Sequence, residues 1–213
     1  GYLPEALFNY LLRLGWPHGD DEVIPRDKAI EWFDLKSIGK AAAKFDFAKL
    51  ESLNAHYINE CDNDRLIELS EPFFKDRHDL ELNDLSCERI TAGIDELKSR
   101  AKTLHQFVDE AAFYAKELPL SFDEKAANTL NGADEILNAL KEEFEKHEVL
   151  TSDIVQQACK DIAKDKMDGK MGKVAMPLRA AVTGTTVSPS IFHACEILGK
   201  EETCARIQSA LNA

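Results

Sequence analysis

The chain has 213 residues, of which 44% are hydrophobic and 31% are charged, and its formal net charge is −13. This is the composition of an ordinary globular protein, long enough for one large core or two to three small ones, and no apolar run approaches the roughly 18 residues that span a membrane. The negative charge weighs against nonspecific binding of nucleic acid, because lysine and arginine side chains must neutralise phosphates in such binding.

Helical periodicity runs through the chain from its amino end. A first helix is predicted to begin near Pro4 and to end at Gly15, since proline suits a first turn and glycine suits a helix end. Its apolar side chains recur at three- and four-residue spacing, at Leu7, Tyr10, Leu11 and Leu14. A second helix is predicted to begin near Pro25, after an acidic run.

The second half of the chain repeats this pattern. One apolar stripe of helical spacing comprises Ile136, Leu137, Leu140 and Phe144. A second apolar stripe follows a cluster of helix-capping residues at 151–153. Ser188 and Pro189 predict an N-cap followed by proline at the first helical position, and Gly199 predicts the end of that helix. A last helix is expected from about residue 201 to residue 211. Since no alternation of apolar and polar residues is long enough for a strand, the sequence predicts an all-α fold.

Two segments have the composition of joints between units. The polar run 59–64 precedes a predicted helix, and at 118–121 Pro119 disfavours helical backbone at Leu118. The predicted division is therefore 1–62, 63–118 and 119–213.

Side chains that bind metals or act as nucleophiles are sparse. His18 and the carboxylates at 20–22 lie close together in a predicted loop, where acidic residues equally suit the approach to a helix. The five cysteines form no C-x-x-C pair, and their odd number favours reduced thiols in a cytosolic protein. The sequence therefore predicts neither a metal site nor a resident cofactor in this chain.

The most informative segment is 171–189, which reads MGKVAMPLRAAVTGTTVSP. It combines two stretches of small residues with a Pro–Leu–Arg step, a Thr–Gly–Thr–Thr turn and a Ser–Pro helix start. Arg179, two residues after Pro177 and in the predicted first turns of a helix, could direct its planar donor fork at a nucleotide edge or a phosphate. From residue chemistry alone, a buried helix with one solvated arginine stays the alternative.

This segment resembles the carboxy-terminal end of bacterial glutamyl-tRNA synthetases, where G-x-V-A-Q-P-L-R-x-A-x-T-G is a common pattern. The runs GYLPEALFNYLLRLGWPHGDDEVI and FDFAKLESLNAHYI resemble the segment after that family's second catalytic signature. Met176 stands where the pattern commonly has glutamine, which weighs against a polar contact at that position. The resemblance implies a helical stem-contact region in 1–62, followed by a two-part helical anticodon-binding cage in 63–118 and 119–213.

The resemblance also implies which side chains meet the anticodon. Arg179 matches a residue that reads the anticodon, and Ile191 matches one that packs against an anticodon base, with Ser188 and Pro189 framing the helix start. The run DELKSRAKTLHQF matches a segment whose arginine, here Arg100, faces the last anticodon base. Loop bases are recognised on their Watson–Crick edges and by stacking, which suits arginine and apolar side chains. From residue chemistry alone, Arg100 is a solvated or salt-bridged helix residue.

A local basic strip interrupts the acidic chain beside this segment. Its members are Lys164, Lys166, Lys170 and Lys173. Because the local field decides whether a surface attracts RNA, these lysines are predicted to support binding of one tRNA despite the net charge.

The implied function is the tRNA-binding part of a glutamate–tRNA ligase, an enzyme that joins glutamate to its tRNA with ATP and Mg. The HIGH-type and KMSKS-type signatures that bind ATP in class I synthetases are absent from the chain. We therefore expect the chain to position tRNA and not to aminoacylate alone. The expected partner is glutamate tRNA, with glutamine tRNA left open, and the expected state is a cytoplasmic monomer that binds neither membrane nor DNA. An acidic helical protein-interaction module and a free-standing enzyme are the competing interpretations.

Overall fold

The structure is a computed structural model that describes residues 1–16, 18–39 and 44–213. These residues form α-helices and two short 3-10 turns without any strand, which confirms the all-α prediction. None of the described helices is long and apolar enough to cross a membrane. In chain order the helices are α1 Pro4–Gly15, α2 Arg26–Trp32, α3 Phe47–Glu60, α4 Asn63–His78, α5 Asp84–Ala92, α6 Ile94–Arg100, α7 Leu104–Ala111, α8 Glu124–Leu130, α9 Asp134–Glu145, α10 Ser152–Lys166, α11 Gly172–Thr183 and α12 Ile191–Leu211.

The chain divides into two compact units. Unit 1 comprises Gly1–Phe73 and Leu97–Asp109, and unit 2 comprises Phe74–Glu96 and Glu110–Ala213. The predicted joints at 59–64 and 118–121 do lie outside helices or at helix ends. The division into three parts, after residues 62 and 118, stays a prediction.

Unit 1 is organised by α1 packing on α3. The side chain of Asn54, fully buried on α3, accepts a hydrogen bond from the Leu3 backbone N–H at 2.8 Å and donates to the Lys102 carbonyl at 2.6 Å. A small apolar cluster of Trp16, Ile24 and Ala29 closes the turn between α1 and α2. The predicted ends of α1, at Pro4 and Gly15, are confirmed.

Unit 2 is organised around its last helix. α12 packs against α9, α10 and α11, and all four members of the predicted α9 stripe are buried. Gly199 has left-handed backbone, with φ 80°, so α12 is two helical segments joined by a kink. This confirms the predicted interruption at Gly199 and the predicted final helix.

Two predicted helix starts in this unit are wrong. α11 begins at Gly172 and contains Pro177 in its interior, so Arg179 lies in the third turn and not in the first turns. Burial of the face that carries Val174 and Leu178 compensates for the hydrogen bond that the proline cannot donate. The N-cap of α12 is Ser190 and not Ser188, because the Ser190 hydroxyl accepts from the third helical N–H while Arg179 binds the Ser188 side chain.

Candidate functional site

Three of the predicted site residues of unit 2, Arg179, Ser188 and Pro189, meet just before the start of α12. Arg179 extends from α11, and its Nη1 donates to the Ser188 carbonyl at 2.8 Å and to the Pro189 carbonyl at 2.7 Å. The same nitrogen also donates to the Ser188 hydroxyl. Three oxygens of two consecutive residues therefore share one guanidinium nitrogen, which fixes the backbone of this segment relative to α11.

A carboxylate holds the next residue of the segment. Glu96, on α6, accepts a hydrogen bond from the Ser190 backbone N–H at 2.9 Å, and its second oxygen lies 2.9 Å from His193 Nδ1. Tyr114 lies close to the same carboxylate: burial raises the pKa of its phenol, and the charge of Glu96 raises that pKa further. The segment Ser188–Ser190 is thus held by a cation on one side and an anion on the other, and we call it the clamped segment.

The turn that leads into the clamped segment depends on a glycine. Gly184 caps α11 with φ 79°, and a Cβ placed on it would lie 2.6 Å from the Ser121 carbonyl oxygen. The Thr183 hydroxyl donates to the Arg179 carbonyl at 2.8 Å, and the Thr185 hydroxyl donates to the Val187 carbonyl at 2.7 Å. The predicted Thr–Gly–Thr–Thr turn is therefore confirmed as a closely packed chain reversal.

The predicted contact residues differ in their access to solvent. Arg179 is partly exposed, whereas Ser188, Pro189 and Ile191 are buried. Ile191 is only 1% exposed, so an anticodon base would reach its side chain only after the start of α12 shifts. In contrast, Val187, directly before the clamped segment, is 67% exposed.

The basic strip occupies exposed positions at the end of α10, in the turn that follows it and at the start of α11. All four lysines are exposed, and Lys166 donates to Glu135 at 2.6 Å. An open groove of about 360 Å³ runs beside the strip. It is lined by Met167, Lys173, Met176 and Pro177 among others, so Met176 presents an apolar surface in the same groove as Lys173, where the family pattern has an amide.

Arg100 belongs to unit 1 and is exposed at the carboxy end of α6. Its neighbour Lys98 is buried, and the Lys98 ammonium donates to the Cys61 carbonyl and to Asn63 Oδ1. The two cations therefore differ in role. Lys98 is buried and its ammonium binds groups inside unit 1, whereas Arg100 lies on the surface of that unit.

Unit 1 also carries a groove of about 950 Å³ between α1 and α3. Its lining combines aromatic side chains with cations and two acids. The lining includes Tyr10, Arg13, Lys44, Phe45, Phe47, Lys49 and His56, together with Glu22 and Asp46.

The part of the chain that the structure describes offers little for covalent or metal chemistry. It contains no cluster of three or more His, Cys, Asp or Glu side chains that could hold a metal ion. No disulfide joins any two of the five cysteines, all of which the structure describes. Burial raises the pKa of Cys159 to about 12 and also raises that of Cys195, so neither thiol is ionised near neutral pH.

Sequence reasoning missed Glu96, although it lies within the run DELKSR. Nothing local distinguishes this glutamate from its acidic neighbours, and its partner Ser190 lies 94 residues further along the chain. Its role follows only from the tertiary structure.

Comparison with known proteins assigns most of the chain to one family. A family model described as the anticodon binding domain matches residues 65–211. That range contains α5–α12, the clamped segment, the basic strip and Arg100.

Relatives and solved structures match along the whole chain. Glutamate–tRNA ligase 2 of Paramagnetospirillum magneticum is 45% identical over 99% of this chain and 44% of its own length. Glutamate–tRNA ligase 2 of Zymomonas mobilis is 44% identical over the full chain and 44% of its own length. A crystal structure of a glutamate tRNA ligase from Elizabethkingia meningosepticum superposes on the full chain with a TM-score of 0.80 at 29% identity, over 42% of that chain. The chain therefore spans less than half the length of the curated relatives that it matches.

Proposed function

Since the chain belongs to the anticodon-binding domain family, we propose that it is the carboxy-terminal, tRNA-binding part of a glutamate–tRNA ligase. The observation that carries this proposal is the match along the whole chain to ligases that are 44–45% identical to it in sequence. The activity that we propose for the whole protein is ligation of glutamate to its tRNA with ATP and Mg. ATP and Mg would act in the remainder of the protein, and this chain would position the tRNA.

The clamped segment and Arg179 form the proposed anticodon contact in unit 2. Arg179 is partly exposed, and its guanidinium is held beside three oxygens, so its position is fixed before any RNA arrives. A prefixed donor fork loses little side-chain entropy on binding a base edge. Ser188 and Pro189 frame this contact, and Ile191 would pack against a base once the start of α12 adjusts.

Arg100 forms the second proposed contact and would face the third anticodon base. That base is cytosine in glutamate tRNA and guanine in glutamine tRNA. Arginine donors suit O2 and N3 of cytosine but would meet the N1 and N2 donors of guanine, at a penalty of about 1–3 kcal/mol for unpaired groups. We therefore propose that the ligase favours glutamate tRNA.

Two further surfaces would support the RNA. The basic strip offers exposed cations between the end of α10 and the start of α11, and the groove of unit 1 offers four basic side chains and several aromatic ones. Cations attract phosphates, while aromatic and apolar faces accept bases or sugars. We assign the unit 1 groove to stem contact, and we expect the protein to act as a monomer in the cytoplasm.

The proposal is tested by equilibrium binding of fluorescent tRNA transcripts to the 213-residue chain. We expect saturable binding of glutamate tRNA that weakens with rising salt and weakens further when the anticodon bases are replaced. A glutamate transcript with a fully substituted anticodon is the matched control. Equal binding of the two transcripts, or no binding of either at low salt, would refute the proposal and favour an acidic protein-interaction module.

Single substitutions test the two arginines. Arg179→Lys should weaken binding by about 1–3 kcal/mol and reduce discrimination between anticodons, because lysine keeps the charge but loses the fork. Arg100→Gln, in the intact ligase, should narrow the ratio of glutamate tRNA charging to glutamine tRNA charging. A lysine variant with unchanged discrimination would make Arg179 structural, and a glutamine variant with an unchanged ratio would remove Arg100 from the anticodon site.

A further inference from the structure

The start of α12 contains a capping box that its own sequence does not complete. In a capping box, the N-cap hydroxyl accepts a hydrogen bond from the backbone N–H of the third helical residue. The side chain of that third residue in turn accepts a hydrogen bond from the N-cap backbone N–H. Here the first half is present, with His193 N and Ser190 Oγ separated by 3.5 Å. His193 occupies the third position, but its ring lies 2.9 Å from Glu96 and not against the Ser190 backbone.

Glu96 completes this box from a different helix. One carboxylate oxygen accepts from the Ser190 N–H at 2.9 Å, as a glutamate at the third position would, and the other oxygen meets the His193 ring. Hydrogen bonds to an ionised carboxylate are stronger than those between neutral groups. The single side chain therefore fixes both the N-cap residue and the third residue of α12.

The position of this contact connects it to RNA recognition. Ser190 directly follows Ser188 and Pro189, whose oxygens are bound by Arg179. Removing Glu96 would leave the clamped segment tethered on the Arg179 side only. A carboxylate gains nothing from touching phosphate, so any contribution of Glu96 to RNA binding must act through Ser190 and His193.

We propose that Glu96 is a positioning residue for tRNA recognition. It holds the clamped segment and the first turn of α12 in the orientation in which Arg179 meets the anticodon loop. This inference rests on the proposed function. It assigns to Glu96 an effect on the affinity for the anticodon without any contact between Glu96 and the RNA.

The experiment compares wild type with Glu96→Ala, Glu96→Gln and Glu145→Ala. Glutamine keeps an acceptor for the Ser190 N–H and a donor for the His193 ring, whereas alanine keeps neither. Glu145→Ala is the matched control, because it also removes a negative charge from unit 2, and Glu145 is an exposed residue that pairs with Lys141 on its own helix, α9. The two measurements are amide hydrogen exchange over 188–193 and affinity for glutamate tRNA and for its anticodon-substituted control.

We expect Glu96→Ala to accelerate exchange at Ser190 and His193 and to weaken binding of glutamate tRNA about tenfold, because a partly disordered segment must be ordered on binding. Binding of the anticodon-substituted control should change little. Glu96→Gln and Glu145→Ala should stay within about twofold of wild type, a difference below roughly 0.5 kcal/mol.

Several results would overturn the inference. One is unchanged discrimination between the two transcripts in Glu96→Ala, and another is a glutamine variant as defective as alanine. A third is exchange that accelerates throughout unit 2, which would indicate a purely structural role. If wild type binds no tRNA, the proposed function and this inference fail together. If wild type discriminates and Glu96→Ala does so equally, only the inference fails.

Discussion

The two units fix the segments between their helices with different chemistry. In unit 1, beside the buried Lys98 ammonium already described, two neutral amides do this: Asn54 binds the backbone of Leu3 and Lys102, and Asn9 accepts from the Ile24 N–H at 2.6 Å. In unit 2 it is done by a charge, since the fully buried Arg206 donates to the carbonyls of Phe113, Val182 and Lys116, each at 2.9 Å.

The difference predicts how each unit responds to substitution. A buried amide that is removed leaves polar backbone groups unsatisfied, at about 1–3 kcal/mol. Removing a buried guanidinium also takes away the nearer counter-charge of Glu202, at 2.7 Å, and leaves this carboxylate with the more distant Arg89 at 4.0 Å. The loss of a single buried polar side chain should therefore lower the free energy of unfolding more in unit 2, which carries the clamped segment, than in unit 1.

The largest effect is expected for Arg206→Leu. It leaves three backbone carbonyls and Glu202 without their donor, so the free energy of unfolding should fall by about 3–5 kcal/mol. Urea denaturation followed by circular dichroism measures this fall. Arg206→Lys should lie between leucine and wild type, because one ammonium cannot reach all four acceptors. A leucine variant as stable as wild type would contradict the importance assigned to the buried charge.

Gly184→Ala should have the next largest effect. The left-handed φ costs an alanine about 1–2 kcal/mol, and its Cβ would lie 2.6 Å from the Ser121 carbonyl oxygen. We expect a total loss of about 2–3 kcal/mol in the free energy of unfolding. Gly132→Ala is the matched control, because Gly132 has φ 77° but no atom within 4 Å of its Cβ position. Equal losses in the two variants would show that the close approach to Ser121 contributes nothing.

In unit 1, Asn54→Leu should reduce the free energy of unfolding by about 2 kcal/mol, because the Leu3 N–H and the Lys102 carbonyl both lose their partner. Asn59→Ala is the control, since this exposed asparagine bonds only to the Ala55 carbonyl within its own helix. Chemical denaturation of both variants provides the measurement. A loss greater than that of Arg206→Leu would reverse the ranking of the two units.

The smallest effect is expected for Glu135→Gln, which tests a charge exposed to solvent. The hydrogen bond and charge of Lys166 lower the pKa of Glu135, so any contribution to stability is present above the unfolded-state pKa. That contribution is lost as the pH falls through the lower folded-state pKa. Because salt and water screen an exposed pair, the melting temperatures of variant and wild type should agree at pH 7. A clear difference at pH 7 that disappears in acid would contradict this expectation.

Much of the fold follows from local sequence. The spacing of Leu137, Leu140 and Phe144 identifies the buried face of α9, and Thr151 caps α10 as the cluster at 151–153 predicts. Gly199 interrupts the last helix where the sequence indicates. These features depend on 3.6-residue periodicity and on the hydrogen bonds of residues three or four positions apart, which are visible in any short window.

The sequence also located the segment of the candidate site, because the motif places Arg179, Ser188 and Pro189 within eleven residues. Only the tertiary structure decided what these residues do. Packing of the α11 face overrode the usual placement of Pro177 at a helix start. Arg206 and Glu96 acquired their roles from partners about ninety residues away. The physical reason is that a buried charge is stable only where the folded chain brings acceptors or donors to it. That condition leaves no periodic pattern in the sequence from which it could be predicted.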